Sequence, residues 1–241
     1  MIVSIIIPVF NEAHKISSDI ITCSAWLKDN HPDAEIIIVD DGSCDNIFSV
    51  LERLMDDSEQ KVKLITIPEN RGKGYAVKQG ILAASGEIIL FTDSGNCIPW
   101  SDIEYGISLV RDGITDICHG SRYLTGSSIL VKRSLSRKFI SFLFRKLIRV
   151  AAGTPSYLSD TQCGLKIYLR EAAKTLYSVC FTERFMFVIE IILRAMTAGY
   201  RITEFPVNWT PDPDSRLKIF PTFLSTLREI RILNKKLQSE A

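Results

Sequence analysis

Residues 35–43 read Glu-Ile-Ile-Ile-Val-Asp-Asp-Gly-Ser, an unbroken apolar run followed by two carboxylates and a glycine. A run that is apolar at every position and rich in β-branched residues is typical of a strand buried on both faces of a parallel sheet. The Asp-Gly pair after it is a turn signal. The stretch therefore predicts a buried parallel strand whose carboxyl end presents acidic side chains.

Four further runs rich in β-branched residues lie outward from this stretch, near residues 2–9, 62–67, 87–92 and 116–120. Segments of helical length separate them, near residues 12–29, 45–56, 72–85 and 100–112. This alternation predicts βαβ units, and so an α/β fold with a Rossmann-like, mostly parallel sheet and helices on both faces. Functional side chains are then expected at the carboxyl ends of the strands.

The second half of the chain has a different pattern. It predicts a basic helix near 132–151, a short strand at 164–169, and helices near 184–198 and from about residue 219. The last of these mixes apolar and basic residues and is expected to be an amphipathic helix at a membrane interface, like the basic helix. We find no internal repeat and no linker that would divide the chain. One domain over residues 1–241 is therefore expected.

Composition excludes several classes of protein. With 46% apolar and 24% charged residues, the 241-residue chain can bury a substantial core and is not disordered. Its six scattered cysteines form no CxxC pair, which predicts neither a disulfide framework nor a zinc site and favours a reducing cytoplasm. No run reaches the roughly 18 apolar residues of a spanning helix, and the first apolar run reads as a strand and not as a signal peptide.

Positive charge is concentrated in one segment. Between Asp116 and Asp160 there are eight Lys or Arg residues and no acid, although the net charge of the chain is only +1. This asymmetry predicts an anionic partner. Within the segment, four apolar residues share a helical face opposite the charges, which favours a helix in a membrane interface; they are Phe139, Leu143, Leu147 and Val150. Packing of that face against the core is the alternative, and a nucleic-acid-binding patch is disfavoured because no such motif is present.

Two strand ends carry groups that suit a nucleoside. The first strand ends with Pro8, Asn11 and Glu12, which would place a flat ring and a carboxylate at the sheet edge. Asp40 and Asp41 end the next strand and suit hydrogen bonds to a base or to ribose hydroxyls. Both have structural alternatives, since Asn11 could cap the following helix and Asp-Gly could simply form a turn.

Two further segments suit a diphosphate. Residues 68–75, Pro-Glu-Asn-Arg-Gly-Lys-Gly-Tyr, form a glycine-bearing loop before a helix, where backbone N–H groups and Arg71 or Lys73 could face phosphate oxygens. The loop is neither GxGxxG nor GxxxxGK[ST], which disfavours hydride transfer and ATP hydrolysis. Asp93 follows the strand at 87–92, where a metal-binding carboxylate is expected, but residue 95 is glycine and not a second acid.

Seven segments in this order resemble the inverting family 2 glycosyltransferases of GT-A fold. They are Pro8-Val-Phe-Asn-Glu12, Val39-Asp-Asp-Gly-Ser43, Asn70-Arg-Gly-Lys-Gly74, Gly86-Glu with Phe91-Thr-Asp93, Gly120-Ser-Arg-Tyr123, Asp160-Thr-Gln-Cys-Gly-Leu-Lys166 and Pro206-Val-Asn-Trp-Thr210. Within that family the chain is most similar to the dolichyl-phosphate or polyprenyl-phosphate glucosyl- and mannosyltransferases. The resemblance implies transfer of glucose from UDP-glucose to a polyprenyl or dolichyl phosphate. Transfer of mannose from GDP-mannose, or nucleotide-sugar binding without catalysis, are the alternatives.

The resemblance also implies roles for single residues on the donor side. The nucleotide-sugar site would consist of Pro8, Phe10, Glu12, Asp41, Lys73 and Asp93. Asp93 would be the catalytic first acid of the family's DxD metal motif, whose second acid corresponds to Gly95 here. A Mg²⁺ or Mn²⁺ ion could still bind through Asp93, water and diphosphate oxygens, at reduced affinity. Without such an ion, positively charged side chains such as Arg122, Arg137 or Lys73 would neutralise the charge of the diphosphate.

On the acceptor side, the resemblance implies that Arg122, Arg137 and Ser141 bind the lipid phosphate. Arg137 and Asp160 would join Asp93 as catalytic residues, with Asp160 orienting the sugar or acting as base. The structural alternatives are solvated arginines and a turn cap at Asp160.

The same resemblance divides the domain and places it in the cell. Residues 1–120 would form the nucleotide-sugar half, 121–210 the acceptor half with the basic helix 132–151, and 211–241 a C-terminal helix. The protein is expected in the cytoplasm, peripheral on the inner face of the membrane, without nucleic acid as partner. The oligomeric state stays open.

Overall fold

The structure is a computed structural model that describes residues 1–57, 60–129, 146–212 and 219–240. Its strands are β1 Val3–Val9, β2 Glu35–Asp41, β3 Lys61–Ile67, β4 Ile88–Phe91, β5 Ile117–Ser121, β6 Ser128–Ile129, β7 Lys166–Leu169, β8 Ile202–Pro206 and β9 Asn208–Trp209. Its helices are α1 Ala13–Asn30, α2 Ile47–Asp57, α3 Lys73–Ala83, α4 Trp100–Arg111, α5 (described over residues 146–152), α6 Arg170–Val179, α7 Phe187–Thr197 and α8 Ile219–Glu240.

The main sheet has seven strands in the order β3-β2-β1-β4-β7-β5-β8. Strand β7 is antiparallel to both of its neighbours, and the remaining pairs of this sheet are parallel. Strands β6 and β9 form a separate parallel pair. The predicted α/β fold with a mostly parallel sheet is therefore confirmed.

Alternate residues of the central strands enter cores on opposite faces of the sheet. Ile36 and Ile38 of β2 pack in a cluster that includes buried residues of α1 and α4. Ile37 and Val39 pack in a second cluster, with residues of α3, α6 and α7. Because helices cover both faces, residues 36–39 have to be apolar at every position.

A third apolar cluster joins α5, the start of α7 and α8. Its buried members are Ile148, Ala152, Met186, Ile189, Ile230 and Leu233. The described end of the basic helix thus packs on the protein through Ile148, whereas Val150 is 75% exposed. Residues 130–145 of the basic segment lie outside the described residues. Among the described residues, no helix has both the length and the apolarity to cross a bilayer.

Helix α6 and strand β8 were not predicted from the sequence. The last residue of β7, Leu169, is also the N-cap residue of α6, so no turn signal separates the two elements. Strand β8 carries Thr203 and Glu204, which interrupt its apolar character. Glu204 nevertheless has a structural role, because its carboxylate accepts hydrogen bonds from the backbone N–H groups of Ser159 and Asp160.

Candidate active site

The parallel strands β1, β2 and β4 end at one edge of the sheet. In the register, Pro8 of β1 lies beside Val39 of β2, and Ile6 of β1 lies beside Phe91 of β4. The residues that end or follow these strands are therefore at the same edge. The predicted donor residues among them are Pro8, Phe10, Glu12, Asp41 and Asp93.

Two different parts of the chain fix the Asp93 side chain. It is 44% exposed, and it forms an ion pair with Lys73, the first residue of α3. The backbone of Gly164 lies against the same carboxylate, so closely that a Cβ at residue 164 would collide with it. The position of Asp93 thus depends on a cation from the glycine-bearing loop and on the absence of a side chain at residue 164.

The buried Asp41 carboxylate holds the glycine-bearing loop. It accepts hydrogen bonds from the backbone N–H groups of Arg71 (2.9 Å) and Gly72 (2.8 Å) and from the Asn70 amide (2.9 Å). Burial raises the pKa of Asp41, and the two backbone hydrogen bonds oppose that rise. The contact of Asp41 with a nucleoside stays a prediction. Asp41 Oδ1 accepts one of these three hydrogen bonds, so it could accept another from a nucleoside.

The other side of this loop rests on residue 183. The backbone N–H of Tyr75 donates to the Glu183 carbonyl oxygen over 2.9 Å, and Arg71 forms an ion pair with the Glu183 carboxylate. The Arg71 guanidinium also lies 3.5 Å from the centre of the Tyr75 ring. Of the two cations suggested for the diphosphate, Arg71 is therefore turned toward Glu183, and Lys73 is the one beside Asp93.

Asn11 connects the ends of the first two strands by hydrogen bonds. Its amide oxygen accepts a hydrogen bond from the Cys44 N–H over 2.7 Å, and its own N–H donates to Ser43 Oγ over 2.8 Å. Helix α1 begins at Ala13 without a side-chain cap. The N-cap position expected at Asn11 is therefore taken by Glu12, whose side chain makes no capping hydrogen bond. The φ of Asn11 is 54°, the left-handed conformation that asparagine tolerates.

Two side chains hold the turn that follows Asp93: Glu12, which precedes α1, and Asp19 in α1. Ser94 Oγ donates to Glu12 Oε2 over 2.5 Å. The backbone N–H groups of Gly95 and Asn96 donate to the buried Asp19 carboxylate over 2.8 and 2.7 Å. The position of the missing second acid is thus a turn whose backbone donors are already bound.

Sequence reasoning missed three residues around this turn: Lys15, Asp19 and Asp212. Lys15 Nζ lies 2.8 Å from Glu12 Oε1 and also pairs with Asp212. Glu12, Lys15 and Asp19 are spaced i, i+3 and i+7, which is a helical face and could have indicated that they act together. No local pattern indicates Asp212, which lies 197 residues after Lys15.

Arg122 and Asp160 form a buried bidentate ion pair across the second half of the site. Arg122 Nε and Nη2 lie 2.6 and 2.9 Å from the Asp160 oxygens, and the Arg122 N–H lies 3.1 Å from Oδ2. Burial raises the pKa of Asp160, but the charge and hydrogen bonds of Arg122 outweigh burial and lower it. Asp160 is therefore an ionised carboxylate that orients Arg122 in this structure.

Arg122 also faces the ring of Trp209, with its guanidinium carbon 5.2 Å from the ring centre. It is thus held on two sides by residues from separate motifs. The two other predicted acceptor residues, Arg137 and Ser141, lie outside the described residues. Their roles, like those of the donor residues, stay predictions.

The fit of a divalent cation depends on few side chains. Within the described ranges, no three His, Cys, Asp or Glu residues converge as a ready metal site. Cys97 is a poor candidate, because burial raises its pKa to about 12 and the nearby Asp93 and Asp212 add to the rise. The hard oxygens of Asp93 do suit Mg²⁺ or Mn²⁺, and Mg²⁺ commonly binds through one or two carboxylates together with substrate phosphates. The donor set therefore fits a cation that a diphosphate helps to hold.

A family model described as glycosyl transferase family 2 matches residues 4–177. The chain belongs to this family. The match covers nearly all of β1 to most of α6, and so includes the sheet edge with Asp41 and Asp93, the Arg122–Asp160 pair and Gly164. The protein is therefore a glycosyltransferase, as the resemblance of its motifs predicted.

The curated relatives include dolichyl-phosphate β-glucosyltransferases from several eukaryotes. The protein of Drosophila melanogaster is 30% identical over 238 residues, covering 94% of this chain and 72% of the relative. That of Dictyostelium discoideum is 28% identical over 237 residues, with the same two coverages, and the human protein is 29% identical over 242 residues.

Solved structures of glycosyltransferases share the fold. Glucosyl-3-phosphoglycerate synthase from Mycobacterium tuberculosis, solved with Mn²⁺, UDP and glucosyl-3-phosphoglycerate, covers 96% of this chain with a TM-score of 0.66 and 19% identity. A mannosyltransferase from Pyrobaculum calidifontis, solved with GDP-mannose and Mn²⁺, covers 89% with a TM-score of 0.60 and 21% identity. The predicted GT-A fold is thereby confirmed.

Proposed function

We propose that this glycosyltransferase moves glucose from UDP-glucose to a polyprenyl or dolichyl phosphate, with inversion at the anomeric carbon. The observation that carries the proposal is the Asp93 carboxylate, partly exposed where β1, β2 and β4 end and fixed there by Lys73 and Gly164. The relatives that are dolichyl-phosphate β-glucosyltransferases support glucose as the sugar and dolichyl phosphate as the acceptor.

The donor would bind along the carboxyl edge of the sheet. Pro8 and Phe10 at the end of β1 would hold the nucleoside beside Asp41, with Glu12 nearby. The diphosphate would lie between Asp93 and the start of α3, where the helix dipole and Lys73 favour negative charge. Lys73 is the first residue of that helix and would exchange its contact with Asp93 for the phosphate oxygens.

The acceptor needs positioning more than activation. A phosphate monoester has a second pKa near 6, so its attacking oxygen is already ionised at neutral pH and a strong general base is unnecessary. The demand is for cations that bring two anions together in line at the anomeric carbon. Arg122 would be one of them, and Arg137 and Ser141 would complete the phosphate site.

Asp160 would act through Arg122. Its carboxylate is fully buried and bonded to the guanidinium by both oxygens, which fixes the Arg122 side chain before the acceptor arrives. A bound Mg²⁺ or Mn²⁺ ion would offset the charge that develops on the leaving diphosphate. The cation would be held by Asp93 on the protein side.

We further propose that the protein acts on the inner, cytoplasmic face of a membrane, where a lipid phosphate is accessible. The basic residues between Asp116 and Asp160 other than Arg122 and Arg137, which belong to the proposed acceptor site, would contact anionic headgroups. The division into a donor half, residues 1–120, an acceptor half, 121–210, and a C-terminal helix, 211–241, belongs to the same proposal.

A thermal-shift panel with UDP, UDP-glucose, GDP and GDP-mannose tests the donor. A ligand at about 100 times its Kd stabilises by about 2.7 kcal/mol, which corresponds to a shift of roughly 5–10 °C for a chain of this size. We expect the uridine compounds to give this shift and the guanosine compounds to give little. A shift with GDP-mannose alone would replace glucose by mannose in the proposal, and no shift with any compound would remove the donor site.

A further inference from the structure

Gly95 stands where the family's second metal-binding acid is expected, and its Cα faces the carboxylate of another residue. A Cβ built on Gly95 would lie 3.5 Å from Cγ and 3.5 Å from Oδ2 of Asp212. The φ angle of Gly95 is 92°, a conformation that residues with a side chain rarely adopt. The space that an acid at residue 95 would point into is therefore bordered by a carboxylate from the C-terminal part of the chain.

Defined contacts bring Asp212 to this place. The backbone N–H of Thr210 donates to the Cys97 carbonyl oxygen over 2.9 Å, and the Asn208 N–H donates to Asp102 Oδ2 over 2.7 Å. The segment after β9 is thereby fastened to the turn that contains Gly95. The Asp212 side chain is 17% exposed and is paired with Lys15.

Cationic groups already neutralise both acids at this turn. The ammonium group of Lys73 pairs with Asp93, and that of Lys15 pairs with Asp212 and with Glu12. Each carboxylate is thus oriented toward a positive charge. A divalent ion brought in by the diphosphate would meet two hard carboxylates, within the one or two that Mg²⁺ commonly takes from a protein.

We propose that Asp212 supplies the second carboxylate of the cation site, in place of the acid that is missing at residue 95. This inference rests on the proposed function, since it names the residue that completes the donor site. The acid reaches the site from the far end of the chain, held by Lys15 until the cation binds. Lys15 is then a positioning residue, and Asp212 joins Asp93 as a ligand.

Binding of Mn²⁺, followed by the electron paramagnetic resonance signal of the free ion, tests this inference without turnover. The full chain is titrated with Mn²⁺ at saturating UDP, as wild type, Asp212→Asn, Asp212→Glu and the control Asp112→Asn. Asp112 ends α4, and its side chain is 56% exposed, so its variant removes the same charge at a distance. Thermal unfolding of each variant checks that it is folded.

We expect Asp212→Asn to weaken Mn²⁺ binding by about 10-fold or more, the order lost when even outer residues of metal sites are changed. Asp212→Glu should recover most of the affinity, and Asp112→Asn should bind as wild type does. Equal Mn²⁺ affinity of wild type and folded Asp212→Asn would overturn the inference. A wild type that binds UDP but no Mn²⁺ would overturn the inference as well. In that case, glucosyl transfer in the presence of EDTA would show that the proposed function stands without the inference.

Discussion

The lack of a side chain at Gly164 leaves the space that the Asp93 carboxylate occupies. We expect Gly164→Ala to displace the Asp93 carboxylate, because the new Cβ would collide with it. The colliding group is the end of a partly exposed side chain, which can move aside, so the free energy of unfolding should change by less than about 1 kcal/mol. Glucosyl transfer should fall by about 100-fold, since the displaced carboxylate is the group proposed to act at the diphosphate.

Gly113→Ala provides the matched control. Nothing lies within 4 Å of a Cβ at Gly113, but its φ of 68° disfavours any side chain. This variant should lose stability by about 1 kcal/mol and keep its turnover, which is the reverse pattern. Steady-state rates and urea unfolding of both variants measure the two effects, and full activity of Gly164→Ala would contradict the assigned position of Asp93.

Glu35 links stability to pH at the sheet edge opposite the site. It accepts hydrogen bonds from Ser4 and Ser85 and an ion pair from Lys63. Burial raises its pKa, but these contacts outweigh burial and lower the pKa to about 2, against an ordinary value of 4.5. Its stabilisation is therefore complete above about pH 4.5 and is lost as the pH falls toward 2.

Urea unfolding of wild type and Glu35→Gln measures this contribution. At pH 7 the variant should be less stable by up to about 3 kcal/mol, the value of a shift of this size. The difference should shrink steadily from about pH 4.5 downward, because protonation removes the same charge from wild type. A difference that stays constant down to pH 3 would show that the carboxylate has no lowered pKa.

At the residue scale, sequence patterns indicated the site residues that end or follow predicted strands. They missed a residue that a distant part of the chain brings to the site. Asp93, Asp41 and Glu12 were predictable because parallel strands end together. Asp212 was not, because its approach to Gly95 depends on the path of the chain after β9. That path follows from tertiary contacts and leaves no local signal.

At the element scale, the segment 180–187 connects the glycine-bearing loop of residues 68–75, the proposed donor loop, with the C-terminal helix α8. Its backbone supports Tyr75 on one side, and the ring of Phe181 lies 3.9 Å from Lys236 of α8 on the other. The buried Glu190 of α7 holds the segment by accepting hydrogen bonds from the N–H groups of Phe181 and Thr182. Donor binding should therefore be sensitive to Glu190.

We expect Glu190→Gln to destabilise the protein by about 1–3 kcal/mol, because buried donors lose their charged acceptor. Hydrogen exchange of residues 180–187 and 72–76 should become faster, and the Kd for UDP should rise. Exchange monitored by mass spectrometry and UDP titration measure these effects. Glu171→Gln, an exposed glutamate of α6, is the control. Unchanged exchange in 72–76 would mean that segment 180–187 does not support the donor loop.

Most helices and strands of the first half of the chain could be predicted from the sequence. β1 to β5 and α1 to α4 follow from apolar runs alternating with helical segments, and each was expected close to its observed bounds. β7 was predicted as a strand, but not its antiparallel direction. Direction depends on which strands it joins, β4 and β5, and such pairing is decided by distant contacts.

For the whole molecule, the distribution of charge predicts how the protein meets a membrane. Eight basic residues without an acid between Asp116 and Asp160 should attract anionic lipid. We expect sedimentation with phosphatidylglycerol vesicles at about 0.05 M salt and little sedimentation at about 0.5 M, because salt screens these charges. Phosphatidylcholine vesicles are the control. Equal binding to both lipids, independent of salt, would favour a purely apolar contact.

Formation of a glucosylated lipid tests the central claim most directly. The protein is incubated with UDP-[¹⁴C]glucose and polyprenyl phosphate, and the label extracted into organic solvent is counted for wild type and Asp93→Asn. We predict labelled lipid only when both substrates and wild-type protein are present, and a loss of about 100-fold or more in the variant. Absence of labelled lipid with the wild type, or undiminished labelling with Asp93→Asn, would contradict the account.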